Sequence, residues 1–419
     1  MRSPINNMKR IYPLFAFLFI TILFIACRKD NGVKPGPGKD LKLSAAELQE
    51  ASADNTFSFE LFRSLAGNGT SNLFISPLSV SMALGMTTNG ANGATLDSMR
   101  NVLHMAGFSQ DQVNTYYNDL LTQLPELDPN TTLKIANSVW YRNTFSVQPQ
   151  FLQTENKSYL AKVEGLDFSS PSSVGTINDW VSQQTNGKIP KIVSQIKDND
   201  IMFLINAVYF KSIWANKFDP KNTANMTFIP GGNYTITQTP FMRGSEMSCN
   251  VYLSDDADLL ELPYSNNRYS MVIVMPPAGK TVNDVMAKLD GTTWANWTSH
   301  LSASKYNIAM PKFRFSYGNE LKNSLSAMGM GLAFSKAADF TNINPEGGLQ
   351  ISSVQHKAYV DVDENGTTAA AATSVTVGTT AVLNQSITID HPFIFVIREM
   401  KSGLVLFTGI VNDPSQSGQ

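Results

Sequence analysis

Residues 364–390 read ENGTTAAAATSVTVGTTAVLNQSITID. Between Glu364 and Asp390 lie 25 residues without a single charge, and Gly366 to Thr373 contain only Gly, Thr and Ala. Val375, Thr376, Val377, Thr379, Thr380 and Val382 follow, all strand formers, and the stretch holds no proline. A flexible linker would be rich in Gly and Ser and would avoid β-branched runs. A standing strand would be shorter. A loop of this length is usually functional or disordered, and an exposed uncharged segment of high β-propensity is an aggregation hazard. The pattern suits a segment that slides between two strands of an existing sheet, where one face meets packed core and bulk or charge would block it. Strand alternation puts Thr367, Ala369, Ala371 and Thr373 on one face, and all four are small. The competing reading is a low-complexity surface linker.

The surrounding chain is that of an ordinary globular protein. It has 419 residues, is 42% apolar and 16% charged, and carries a formal charge of −2. Residues 1–26 hold Arg2, Lys9 and Arg10 and no acid, so the remainder carries −5. A mildly acidic body argues against nucleic-acid binding, which rests on neutralising phosphates. Two cysteines, Cys27 and Cys249, exclude a disulfide scaffold and a cysteine-rich zinc module. No Gly-x-Ser-x-Gly elbow, His-Glu-x-x-His pair or Walker loop occurs. His104, His300, His356 and His391 show no ligand spacing, so no metal site is expected. Nothing points to a Ser/His/Asp triad or to Cys249 as a nucleophile.

The first segment reads as an address. Residues 11–26, IYPLFAFLFITILFIA, form an apolar run behind the basic residues. Sixteen residues are short for a membrane span, which needs about 20, and the layout is that of a signal peptide. Phe24-Ile25-Ala26-Cys27 resembles a bacterial lipoprotein signal, which implies that Cys27 is lipidated and becomes the new N-terminus. Plain secretion with Cys27 near the cut is the alternative. Residues 27–44, rich in Gly, Pro and Lys after the cysteine, read as a solvated tether. The expected place is therefore the cell envelope, at the outer membrane or cell surface and not in the cytoplasm.

From residue 45 to about 415 the chain is evenly apolar, with no second linker and no repeat, and reads as one domain. Ser76-Pro77 is a helix start, with Leu78, Met82 and Met86 behind it. Residues 95–124 are helical in pattern, and residues 320–328 form a short helix stopped by Gly329. Residues 201–210, IMFLINAVYF, and 270–275, SMVIVM, are buried-strand runs, and Tyr234 with Ile236 suggests another strand. FIFVIRE and LVLFTGIV form two final strands joined at Lys401-Ser402-Gly403. Interspersed helices and strands without strict βαβ alternation favour an α+β fold with large, partly antiparallel sheets.

The stretch from Glu364 to Thr373 resembles the reactive-centre loop hinge of serpins. Asn72 to Ser79, Gly90-Ala91 with Thr95, Ala136 to Trp140, Ile177 to Val181 with Thr185 to Ile189, and Asn206 to Lys211 with Trp214 are similar to further serpin blocks. So are Leu262-Pro263-Tyr264, Pro311-Lys312-Phe313, Gly329-Met330, Ala338-Asp339-Phe340, His356-Lys357 and His391-Pro392-Phe393. The resemblance implies a serpin fold: a large mixed central sheet, two smaller sheets, about eight or nine helices and an exposed loop over residues 364–388. It implies a protease inhibitor, not an enzyme. A target serine protease, or as a second option a papain-like cysteine protease, cuts the loop and is acylated, and the loop then inserts into the central sheet before the acyl-enzyme is hydrolysed. The implied partner is that protease in a covalent one-to-one complex with a monomeric inhibitor, without a cofactor. A binding or scaffold protein that keeps the fold without trapping is the alternative.

Roles follow by position. Glu364, Gly366, Thr367, Thr368, Ala369, Ala370, Ala371, Ala372 and Thr373 form the hinge. Lys312 matches the lysine that pairs with Glu364, and Trp214 the buried tryptophan at the opening of the sheet. Ser76, Ser79, Asn206 and His356 match the polar cluster beneath the central sheet. Counting seventeen residues from Glu364 puts the scissile bond at Thr380-Ala381, with Thr379 or Ala381 as neighbouring registers. The loop lacks Arg and Lys, which disfavours trypsin-like targets and favours elastase-like or subtilisin-like ones. Thr368 stands where the family often has an acid, and Gly378 adds backbone freedom near the cut.

Overall fold

The computed structural model describes residues 38–67, 71–231, 237–367 and 385–416. Within them the strands are β1 (Leu73–Ile75), β2 (Thr132–Arg142), β3 (Lys162–Leu166), β4 (Met202–Ile213) and β5 (Ala224–Phe228). There follow β6 (Thr237–Tyr252), β7 (Asp258–Pro263), β8 (Tyr269–Met275), β9 (Ser302–Pro311) and β10 (Phe313–Glu320). The last are β11 (Gln355–Asp363), β12 (Gly366–Thr367), β13 (Ser386–Thr388), β14 (Phe393–Glu399) and β15 (Val405–Val411). The helices are α1 (Ala45–Ala66), α2 (Pro77–Gly90), α3 (Gly93–Val102), α4 (Gln110–Gln123), α5 (Pro149–Tyr159), α6 (Ser172–Gln184), α7 (Val282–Lys288), α8 (Gly291–Ser299) and α9 (Lys322–Leu325).

The central sheet runs β10-β11-β12-β4-β2-β3 and is mixed: β2 and β3 are parallel and the other neighbours antiparallel. The second sheet has nine strands in the order β1-β15-β14-β8-β7-β6-β9-β13, with β5 on β6. The α+β class is as the residues suggested. The two smaller sheets expected beside the central one run into each other through the 16-residue β6, which bends at a register shift between Gly244 and Met247. The core lies between the sheets. Phe74 of β1 stacks on Phe395 and Phe407 at 5.6 and 5.3 Å and meets Phe315 of the central sheet edge-on. Each such ring contributes about 1.5–3 kcal/mol through burial.

Local signals explain most element ends. Ser76 caps α2 by accepting from the Ser79 N–H, with Pro77 at the first position. The helical pattern over 95–124 resolves into α3 and α4, because His104 takes φ +57 and ends the first of them. Gly329 at φ +121 ends the turn after α9. β14 and β15 turn at Lys401 to Gly403, where Gly403 takes φ +73. Tyr234 and Ile236 lie outside the described residues. Of the expected tether, residues 38–44 are described and are seated on the body: Leu41 is buried, Asp40 pairs with Arg268 at 3.0 Å, and Lys42 exchanges hydrogen bonds with the Gln123 side chain.

One group of buried carboxyls has no counterpart in the sequence reading. Glu47, Glu50 and Asp54 fall on one stripe of α1 and are buried. Asp54 accepts hydrogen bonds from Tyr116 at 2.8 Å, from Tyr117 at 3.2 Å and from Ser81. Glu155 of α5 is buried nearby in the same layer and accepts from Asn89 at 3.0 Å. No cation pairs with Glu50, Asp54 or Glu155 among the described residues. Burial, reinforced by the charges of Glu47 and Asp54, pushes Glu50 up to about 7. Burial pushes Asp54 up to about 6 against the pull of its hydroxyl donors, and raises Glu155 as well. The folded state therefore holds these protons more tightly than the unfolded chain, where carboxyls titrate near 4. The stability they contribute is complete below that value and is lost as pH rises through about 6 to 7. Glu50→Gln removes one of these titrations. Its melting temperature relative to wild type should rise between pH 5 and pH 8, by roughly a few degrees. Parallel melting curves across that range would contradict the assignment.

Candidate functional site

β11 ends at Asp363, the chain turns through Glu364 and Asn365, and Gly366-Thr367 return as β12. The two residues of β12 sit between two strands, Thr367 opposite Val362 and Ser212, Gly366 opposite Asp363 and Ile213. The turn is held from outside. The Asn365 N–H donates to the Asp363 carboxylate at 2.8 Å. Three turn carbonyls accept from one segment after β4: Asp363 from the Trp214 indole at 2.9 Å, Asn365 from the Trp214 N–H at 2.8 Å and Glu364 from the Phe218 N–H at 3.1 Å. Gly366 adopts φ +151, and a Cβ there would lie 2.1 Å from the Ser212 carbonyl oxygen, so no larger residue fits this slot.

The Glu364 side chain is buried and doubly engaged. One carboxylate oxygen meets the Lys312 ammonium at 2.8 Å and the other accepts from the Thr223 hydroxyl at 2.6 Å. Burial works to raise its pKa, but the hydrogen bonds from Lys312 and Thr223 outweigh it and hold the carboxyl below its ordinary range. Trp214 is buried and lies parallel to Tyr264 with ring centres 4.6 Å apart, and meets Phe218 edge-on. The far side of residues 368–384 is anchored at the same corner. The Asn307 N–H donates to the Gln385 carbonyl and the Ile389 N–H to the Ala309 carbonyl, both at 2.9 Å, and β13 runs parallel to β9. Lys312 follows Ala309 by three residues, a span of about 10 Å along a strand.

Beneath the sheet, Ser76, Ser79, Asn206 and His356 are brought into one chain of hydrogen bonds. The Ser76 N–H donates to His356 Nε2 at 3.2 Å, and the Ser76 hydroxyl donates to the Leu406 carbonyl at 2.8 Å. The Ser79 hydroxyl donates to Asn206 Oδ1, and Asn206 Nδ2 donates to Asn137 Oδ1 at 2.6 Å. His356 of β11 therefore reaches the start of α2, while Asn206 of β4 reaches α2 and β2. Burial lowers the His356 pKa to about 4, which suits an imidazole whose Nε2 accepts.

Thr368 through Thr373, Thr380, Ala381 and Cys27 lie outside the described residues. His391 is exposed and pairs with Asp390 at 2.6 Å. Groups of three or more His, Cys, Asp or Glu arranged for a metal are absent among the described residues. Four residues of the site escaped the sequence reading. Thr223 and Phe218 carry no motif. Tyr264 was visible only as part of Leu262-Pro263-Tyr264, and Asn137 only inside the Ala136–Trp140 block.

A family model described as serpin, serine protease inhibitor, matches residues 52–414. An uncharacterized serpin-like protein of Thermococcus kodakarensis is 35% identical over 384 residues, covering 90% of this chain and 88% of its own length. Leukocyte elastase inhibitor of Xenopus laevis is 32% identical over 378 residues, covering 87% and 99%. Among solved structures, the thermophilic serpin tengpin in its native state matches with a TM-score of 0.81 at 31% identity, covering 90% of this chain and 96% of its own. Human thyroxine-binding globulin, solved in complex with thyroxine, matches with a TM-score of 0.80 at 29% identity, covering 89% and 100%. The chain belongs to the serpin family, a family of protease inhibitors rather than enzymes.

The Glu364 contacts give a direct expectation. Lys312→Met leaves the buried Glu364 carboxylate with one hydrogen-bond donor instead of two. It should lower stability to urea at pH 7 by about 1–2 kcal/mol. Because Glu364 titrates below its unfolded value, that contribution is present above about pH 4.3 and fades as pH falls further. An equal loss at pH 3 and pH 7 would show that the ion pair is not its source.

Proposed function

We propose that this protein inhibits serine proteases as a suicide substrate, by cleavage in the 374–383 stretch followed by insertion of the loop between β4 and β11. The observation that carries the reading is β12. The small, buried Thr367 and the glycine before it pair with both β4 and β11, at the head of a segment whose next residues are alanine and threonine. Adding a strand satisfies backbone donors and acceptors on both flanking strands, which is a large and directional gain.

The chemistry is that of an interrupted hydrolysis. The protease serine oxygen attacks the carbonyl carbon at Thr380, the Thr380-Ala381 peptide bond breaks, and the Ala381 amine leaves with the proton that the protease base took from the serine. The ester that remains needs water to be released. Insertion carries the acylated end along the sheet, and inhibition results when insertion outruns that water attack. The lack of Arg and Lys between Glu364 and Asp390 fits elastase-like or subtilisin-like targets, and the Xenopus relative named as an elastase inhibitor agrees in direction. Residues 1–26 and Cys27 support a lipid-anchored protein at the outer membrane or cell surface, a monomer that forms a covalent one-to-one complex with its target.

The test does not depend on knowing the target. A single nick within 374–383 should raise the melting temperature well above that of the intact protein, by tens of degrees, as expected when a full strand is added to the core sheet. Subtilisin and pancreatic elastase should then yield a detergent-stable complex. An unchanged melt would instead favour a binding or scaffold protein with this fold. Thr367→Arg should still be cut but should give at least about tenfold less complex, because it puts an unpaired charge at the buried position where the incoming strand begins. Cys27→Ala should move the protein from the membrane to the soluble fraction; a variant that stays with the membrane would argue against lipidation.

A further inference from the structure

We propose that Tyr264 is a positioning residue for insertion: its hydroxyl holds Thr367 in the central sheet and so gives the incoming strand its starting point. The inference rests on the trapping reading above and adds a residue to it. Tyr264 follows β7 of the nine-stranded sheet, whereas Thr367 lies in the central sheet, so the contact joins the two sheets at the point where the loop enters.

The Tyr264 hydroxyl and the Thr367 hydroxyl are 2.5 Å apart and share a hydrogen bond. Tyr264 is fully buried and Thr367 is 2% exposed. Neither hydroxyl has another hydrogen-bond partner among the described residues. The ring is fixed before the hydroxyl acts. It stacks on Trp214 at 4.6 Å, meets Phe210 edge-on at 5.3 Å, and its own N–H donates to the Tyr269 carbonyl at 2.8 Å. Trp214 in turn holds the carbonyls of Asp363 and Asn365. Tyr264 therefore sits on a rigid support and presents one polar atom to one residue of the hinge. Preorganisation matters most for the first residues of an added strand, because they are ordered before the ladder can repay them. With Thr367 held, later residues only extend a ladder already begun. The number of inhibitor molecules consumed per protease trapped, less one, equals the ratio of deacylation to insertion rates, so slower insertion appears directly in that number.

The experiment compares wild type with Tyr264→Phe, Thr367→Val, Thr367→Ser and the double variant Tyr264→Phe/Thr367→Val, each reacted with subtilisin and pancreatic elastase. Phe keeps the stacking ring and removes only the hydroxyl. Each single deletion leaves the other hydroxyl buried and unpaired, whereas the double variant leaves none. Cleaved inhibitor relative to detergent-stable complex should rise about fivefold in each single variant, the factor a lost hydrogen bond makes in a rate. The double variant should do no worse than the singles, and Thr367→Ser should stand closer to wild type than Thr367→Val. Unchanged trapping by Tyr264→Phe, or single effects that multiply, would overturn the proposal. If wild type itself forms no complex, the trapping reading fails separately. The contact is then judged on the intact protein, where the two single variants should lower the melting temperature and the double variant should lower it by less than their sum; additive losses would overturn the contact too.

Discussion

β4 and β11 run parallel to each other, and among the described residues they are joined by only the two residues of β12. Parallel neighbours with an antiparallel strand between them make a place that only a returning chain can fill. The Glu364-Asn365 turn supplies that chain, because it reverses β11 directly onto its own edge. Everything else in the site serves this junction. Trp214 and Phe218 occupy the turn carbonyls, Lys312 and Thr223 donate to the buried Glu364 carboxylate, and Gly366 removes the side chain that would strike Ser212.

The two ends of the segment between Thr367 and Gln385 are fixed by different physics. At the first end the anchor is polar and buried, a carboxylate with two donors and a pair of hydroxyls. At the second it is backbone pairing, β13 laid parallel on β9. The first end lies in the central sheet between β4 and β11, and the second in the nine-stranded sheet on β9.

The layer under the central sheet is polar where the core between the sheets is aromatic. Hydrogen bonds run from His356 through Ser76, and from Ser79 through Asn206 to Asn137, linking β11, α2, β4 and β2. Directional bonds of this kind hold strands in a unique register. Beside them, α1 and α5 bury carboxyls without cations, at a cost that a better-packed apolar layer would avoid.

By itself, the sequence determined the α+β class, the uncharged run of small and β-branched residues after Glu364, and several element ends. These depend on local physics: small uncharged residues, alternation and helical spacing, and an N-cap hydroxyl before Pro77. It also marked Glu364, Lys312, Trp214 and the four polar residues of the lower cluster through resemblance. Tertiary structure decided which atoms meet. Thr223 lies 141 residues before Glu364 and Tyr264 lies 103 before Thr367, and no pattern in a linear chain reports such pairings. It also decided that His356 bonds to the start of α2, that the smaller sheets merge through β6, and that four carboxyls share one buried layer. Contacts between distant residues are set by how whole sheets and helices close on one another, and that closure depends on the packing of the entire core rather than on any local stretch.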